Sequence, residues 1–273
     1  MVRVLISVDM EGIAGVTGHQ DVQPGTAAYE RFRRQMTQEA NAAVAGAFEA
    51  GATAVTVNDS HDGMRNVLYE ELDERASLVS GTMKPLDMVE GAQGAEAAVF
   101  IGYHAMAGSA PAVLAHTMSG IVHCWRMNGE PVGETQINAA LCGHHGVPVA
   151  LVSGDACLAE EVAATLPATR TVVVKWATDE TTARSVPRVE AIRMIREGTR
   201  DSLRGVGGLA PWPMASPVGF EIEFSTPGAA AAASQCPGVE RRSGRVVEMS
   251  GIDVVAAYRL ATVALSLAMA SVS

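Results

Sequence analysis

The sequence predicts an α/β fold, a mostly parallel layered sheet with a smaller C-terminal α+β subdomain. Three observations carry that expectation. Short apolar runs rich in β-branched residues alternate with helical patterns over roughly the first 180 positions, the signature of a parallel sheet covered by helices. Beyond that point the pattern turns to helix, strand, strand, helix. Hydrophobic residues make up 48% of the 273-residue chain and aromatics only 4%, so the core is expected to be small aliphatic side chains in close-packed layers.

Val2 to Val8 reads as a buried parallel strand, followed by the punctuated loop Gly12-Ile-Ala-Gly15-Val-Thr-Gly18. Ala27 to Ala50 reads as one long helix, with Gly51 placed as its C-terminal cap. Thr53–Val57, Ala97–Ile101, Val149–Val152 and Thr171–Val174 read as further strands, and Val113–Ser119 as a strand carrying His116. Helical patterns cover Gly133–His145, Asp155–Leu166, Val186–Leu203 and 252–271. Val218–Phe224 and Gly238–Met249 are expected as the two late strands, and the Gly208–Pro213 stretch as a linker. The expected division is residues 1–180 as an α/β metal-binding catalytic domain and 181–273 as the smaller subdomain.

A formal net charge of −10 argues against a nucleic-acid surface, since no basic stripe is present to neutralise phosphates. The segment before Asp9 is too short for a signal-peptide core, and Arg259 interrupts the apolar run from Val254 to Val272. No membrane span is therefore expected, and the cytoplasm is the expected compartment. Cysteines at 124, 142, 157 and 236 form no C-x-x-C pair and read as reduced thiols.

Acid and histidine clusters stand at the ends of three expected strands: Asp9-Met-Glu11, Asp59-Ser-His61 and Gly102-Tyr-His104. Ligands bind outside the carboxyl ends of the strands in open α/β sheets, so all three converge if the strands are parallel. Asp9 and Glu11, two apart, point the same way along an extended backbone. Glu134, opening a helix after Gly133, could close the set. Two imidazoles with three carboxylates suit zinc, manganese or cobalt better than magnesium or calcium. Two divalent ions and a hydroxide would neutralise the three carboxylates, with Asp9 as the candidate bridge. Each residue alone also fits a cap, a solvated turn or a core histidine; their coincidence at strand ends is what points to a metal. His116 fits either a satisfied core histidine or a general acid/base beside a metal. His19, His123 and His144-His145 read as structural or surface residues, and Asp59 and Asp62 as a helix cap or solvated turn.

Ser7-Val-Asp9-Met-Glu11-Gly12 resembles the S-x-D-x-E-G signature of the D-aminopeptidase family of metallopeptidases. Asn58-Asp-Ser-His61, Met83-Lys-Pro85, Met88-Val-Glu-Gly91, Gly102-Tyr-His104, His116-Thr-Met and Pro131-Val-Gly-Glu134 follow in family order. Lys84 and Lys175 also fall in family-like segments, and residues 205–245 resemble the family least. The resemblance implies two Zn2+ per subunit, one held by Asp9, Glu11 and His61 and the other by Asp9, His104 and Glu134; the donor chemistry leaves Mn2+ or Co2+ open. It further implies His116 as the catalytic residue, a ring-shaped homodecamer, and release of N-terminal, D-configured residues from small peptides by a water activated between the metals. A metal-dependent amidase or phosphoesterase on the same residues is the enzymatic alternative; no Arg or Lys clustered with the ligand motifs favours phosphate. A peptide- or metal-binding protein without turnover is the other.

Overall fold

The protein is described here by a computed structural model covering residues 2–272. In chain order the elements begin β1 (Val2–Val8), α1 (His19–Val22), α2 (Ala27–Glu49), β2 (Ala52–Asp59), β3 (Ala76–Val79), β4 (Ala97–Ile101), β5 (Val122–Met127) and β6 (Glu130–Pro131). They continue α3 (Glu134–His144), β7 (Val149–Asp155), α4 (Ala156–Thr165), β8 (Arg170–Asp179), β9 (Thr182–Ser185) and α5 (Arg188–Arg204). The last are β10 (Val218–Phe224), α6 (Pro227–Ala233), β11 (Glu240–Arg241), β12 (Val246–Gly251) and α7 (Val254–Ala270).

Seven strands form the main sheet in the order β3-β2-β1-β4-β7-β8-β9, parallel except for β9 at one edge. Strand alternation splits the core in two. Val4, Ile6 and Val8 of β1, with Ala97, Val99 and Ile101 of β4, face a layer that includes α2 and α5. Leu5, Ala98 and Phe100 face the opposite layer, where α3, α4 and the second sheet lie. Both faces are covered, which is why these strands read as continuous apolar runs.

The second sheet is antiparallel, in the order β11-β12-β10-β5-β6. Along β10, Val218, Phe220, Ile222 and Phe224 are buried, while Gly219, Glu221 and Glu223 are half-buried on the other face. Trp125 packs edge-on against Phe220, their centroids 5.5 Å apart. The expected division at residue 180 does not coincide with the sheet boundary. The second sheet takes β5 and β6 from before it, and α5, from after it, packs on α2 and the main sheet.

Two expected strands differ. Val113–Ser119 is a loop with Leu114 and Met118 at positive φ, because the Val113 and Leu114 amides donate to the Asp155 carboxylate and the Glu180 carbonyl rather than to a strand. Gly238–Met249 is broken into β11 and β12 by a bend at 243–245. The polyalanine stretch is a helix, α6, with Pro227 in its first turn and Thr226 capping the Ala229 amide. No described helix is long and apolar enough to cross a membrane.

The loops after β1 and β4 cross in direct contact. Gly12 donates its amide to the Gly102 carbonyl at 2.7 Å, and a Cβ on Gly12 would lie 1.9 Å from the Tyr103 carbonyl oxygen. Gly102 has φ +71°, and a Cβ there would lie 2.3 Å from the Asp9 carbonyl oxygen. Gly102→Ala is therefore expected to lower the unfolding free energy by more than about 2 kcal/mol in urea denaturation. An unchanged midpoint would show that the two loops can separate at little cost.

Candidate metal centre

β1, β2 and β4 lie side by side and parallel, so the residues that follow them emerge at one edge. β1 is also where the sheet switches direction, its neighbours β2 and β4 lying on opposite sides. That crevice is where doubly wound sheets bind ligands. Asp9 and Glu11 come from the end of β1, His61 from beyond β2 and His104 from beyond β4. Glu134 is the first residue of α3, behind Gly133, and His116 reaches in from the loop between β4 and β5.

All five expected ligand residues are buried and gathered together. His61 Nδ1 lies 3.3 Å from Asp9 Oδ1 and 3.1 Å from Glu11 Oε2. His104 Nε2 lies 3.4 Å from both Asp9 Oδ2 and Glu134 Oε2. Asp9 thus presents one oxygen to each histidine, as a shared carboxylate must. His116 Nε2 is 3.6 Å from Glu134 Oε1, its ring stacked on His104 with centroids 4.2 Å apart. Two groups meet the spacing that lets one cation touch three donors: Asp9, Glu11 and His61; and His104, His116 and Glu134.

The second ring nitrogen of each histidine faces a backbone carbonyl. His61 Nε2 is 2.9 Å from the Val22 carbonyl, His104 Nδ1 3.0 Å from that of Ala105, and His116 Nδ1 2.8 Å from that of Leu114. A carbonyl only accepts, so the nitrogen facing it carries the proton. In the neutral tautomer the other nitrogen turns its lone pair into the cluster, as metal-ligating histidines do. The carboxylates are also oriented from behind: the Met10 amide donates to Asp9 Oδ1 at 2.8 Å and the Met118 amide to Glu134 Oε1 at 2.6 Å.

Burial and the neighbouring charges compete at each group of the cluster. Burial pushes the Asp9 carboxyl up to about 8, with the Glu11 charge adding to the rise. Burial would likewise raise Glu11, but the His61 charge outweighs it and holds that carboxyl well below the usual range. Burial would depress His61 and His104; Glu11 and Glu134 respectively overcome it and raise both imidazoles well above their usual value. Asp9 Oδ2 and His104 Nε2 are nevertheless buried without a hydrogen-bond partner. Two such orphans facing each other, among mixed nitrogen and oxygen donors, fit a divalent transition metal.

The remaining acids and histidines are less central. Asp62, His19, His123 and His144 are exposed. Asp59 is buried but structural, accepting the Asn66 and Val67 amides at 2.5 and 2.7 Å. Buried Cys142 has its thiol pushed up to about 12 by desolvation, too high for a nucleophile. What sequence spacing did not reveal is Asn66, whose side-chain NH2 donates to Asp59 Oδ1 at 2.8 Å and to the His61 carbonyl at 2.6 Å, while its Oδ1 accepts from Tyr29. Its only signal was a polar residue just after the Asp62-Gly63 turn. Asn66→Ala would strip partners from three buried groups. An unfolding free energy lower by about 1–3 kcal/mol is expected in chelator-containing buffer, and a loss below about 0.5 kcal/mol would deny Asn66 that role.

Fold and cluster together define a class: an α/β protein with the donor chemistry of a metallohydrolase at its topological switch point. Residues 2–263 match the family model described as D-aminopeptidase, peptidase M55. The chain is 38% identical over 270 residues to a D-aminopeptidase of Bacillus subtilis strain 168, covering 98% of each chain. It also superposes with a TM-score of 0.95 on a solved structure at 37% identity, again covering 98% of both chains. That structure is the Zn-dependent D-aminopeptidase DppA from Bacillus subtilis, described as a self-compartmentalizing protease. The chain belongs to the D-aminopeptidase family.

Proposed function

We propose that this protein is a zinc aminopeptidase that releases N-terminal residues, D-configured ones foremost, from small peptides, using two metal ions that share Asp9. The observation that carries this reading is the division of Asp9 between two histidines, Oδ1 toward His61 and Oδ2 toward His104. Glu11 completes the first donor group and Glu134 the second. Bound there, a zinc pair would acidify a water and polarise the scissile carbonyl. The D-preference and the zinc are supported by what the matched Bacillus subtilis proteins are.

His116 is given the proton-transfer role. Its Nδ1–H is tied to the Leu114 carbonyl, leaving Nε2 to take or give a proton. Its side chain is 27% exposed, against 2% for His104, so it stands where a peptide can arrive. Stacking on His104 fixes its ring beside the cluster. A second role is favoured by distance: a ring nitrogen of His116 lies within 4.8 Å of donor atoms of His104 and Glu134, the spacing of a third ligand. His116→Ala decides between them. As a general acid/base its loss leaves two zinc ions bound and lowers kcat by about 10²–10⁴-fold; as a ligand, its loss also releases a metal.

The matched structure's description as self-compartmentalizing supports an oligomer, and a homodecamer is the proposed state. Val263, Leu267 and Met269, exposed on α7, offer apolar surface for subunit contact. The cytoplasm is the proposed compartment.

Matched D- and L-alanyl p-nitroanilides test the activity directly. D-selective release that stops on chelation and returns with zinc is expected; equal or L-selective release would remove the stereochemical part, and preferential phosphoester cleavage the peptidase reading. Metal uptake should also depend on pH with a definite sign. A cation must displace the proton that burial keeps on Asp9 up to about pH 8, so apparent zinc affinity falls as pH drops below that value. Affinity constant between pH 6 and 8 would contradict it.

A further inference from the structure

One buried charge near the cluster belongs to neither donor group. Lys175, on β8, is fully buried, and its ammonium lies under the glycine-punctuated loop that carries Glu11. Its Nζ donates to the carbonyls of Glu11, of Ile13 at 3.1 Å and of Val16 at 2.8 Å. An ammonium has three N–H donors, and here three carbonyls take them. No carboxylate is paired with Nζ among the described ion pairs.

The opposite side of the loop is held by an acid. Buried Glu39, on α2, accepts the Ala14 amide at 3.1 Å and the Gln35 side-chain amide at 3.0 Å. A cation on the carbonyls and a carboxyl on an amide thus clamp the same few residues. Glu11 sits at the start of this clamp. Its carbonyl is taken by Lys175, and the amide of the next residue, Gly12, is taken by the Gly102 carbonyl. With both the carbonyl and the N–H of the Glu11–Gly12 peptide committed, the backbone from which Glu11 reaches His61 is fixed.

Burying a lysine costs several kcal/mol unless its partners repay it, and anchoring a loop alone does not call for a charge. The charge acts on Asp155 and Glu39 first and on Glu11 after them. Saturated by carbonyls, it holds the Glu11 loop without forming an ion pair that would occupy a donor oxygen. We propose that Lys175 is a positioning residue for Glu11, which sets the affinity of the metal site formed by Asp9, Glu11 and His61 and leaves the site of His104 and Glu134 unchanged. This rests on the dinuclear reading above.

The test is zinc titration of full-length protein against a chromophoric chelator, comparing wild type with Lys175→Met. The wild type is expected to take two equivalents. Folded Lys175→Met should hold one equivalent as tightly as wild type and the other about 10–100-fold more weakly. The weakening should persist in a His104→Ala background and vanish in His61→Ala, since only the latter removes the partner site. Two equivalents held as tightly as in wild type, or both weakened alike, would overturn the proposal, the second pattern being that of general destabilisation. Lys175→Gln keeps two N–H donors for the buried carbonyls and carries the same test if the methionine variant does not fold. A wild type that takes fewer than two equivalents would fail the dinuclear reading instead.

Discussion

Three carboxylates and two imidazoles, all buried within a few ångströms, form an arrangement that burial alone forbids. Isolated from water, each carboxylate would neutralise itself by holding its proton, and Asp9 shows that pull with its carboxyl pushed up to about 8. Yet the same side chains are locked in orientations that suit ionised donors. Backbone carbonyls hold the protons of His61 and His104 on the far side of each ring, and backbone amides point at Asp9 and Glu134. A cluster so built is one that cations would stabilise by supplying the missing charge.

The fold meets this demand through where the sheet reverses. Because β1 is flanked by β2 on one side and β4 on the other, three strands deliver donors to one crevice without any strand bending. The contact between the loops after β1 and β4, closed at Gly12 and Gly102, brings Asp9 near His104. From the other layer, α3 contributes Glu134 at its first turn, where the N-terminal end of a helix favours a carboxylate. The second sheet packs outside this, and its strand β5 follows the loop that carries His116.

The donors were legible because they sit at places where sequence and topology are tightly linked. Asp9, His61 and His104 each end an apolar run, and parallel strands must bring such ends together. Glu134 was legible as a helix start. The loop around His116 was not: Val113 to Met118 has the composition of a strand, but Leu114 and Met118 adopt left-handed φ, with the Val113 and Leu114 amides taken by Asp155 and Glu180 and that of Met118 by Glu134. Nothing local in the sequence encodes those distant partners. β5 was hidden for a related reason, since His123 is exposed and Arg126 pairs with Glu221 across the sheet. The carbonyls of Val22, Ala105 and Leu114 that set the histidine tautomers are invisible in principle, because a backbone carbonyl has no residue identity.

Two metal ions sharing Asp9 are the proposal on which the rest depends, and a crystal structure with anomalous data collected across the zinc absorption edge tests it most directly. Two zinc peaks about 3.5–4 Å apart, one beside Glu11 and His61 and one beside His104 and Glu134 with Asp9 between them, are the predicted result. A single peak, or a pair in which Asp9 touches only one ion, would contradict it.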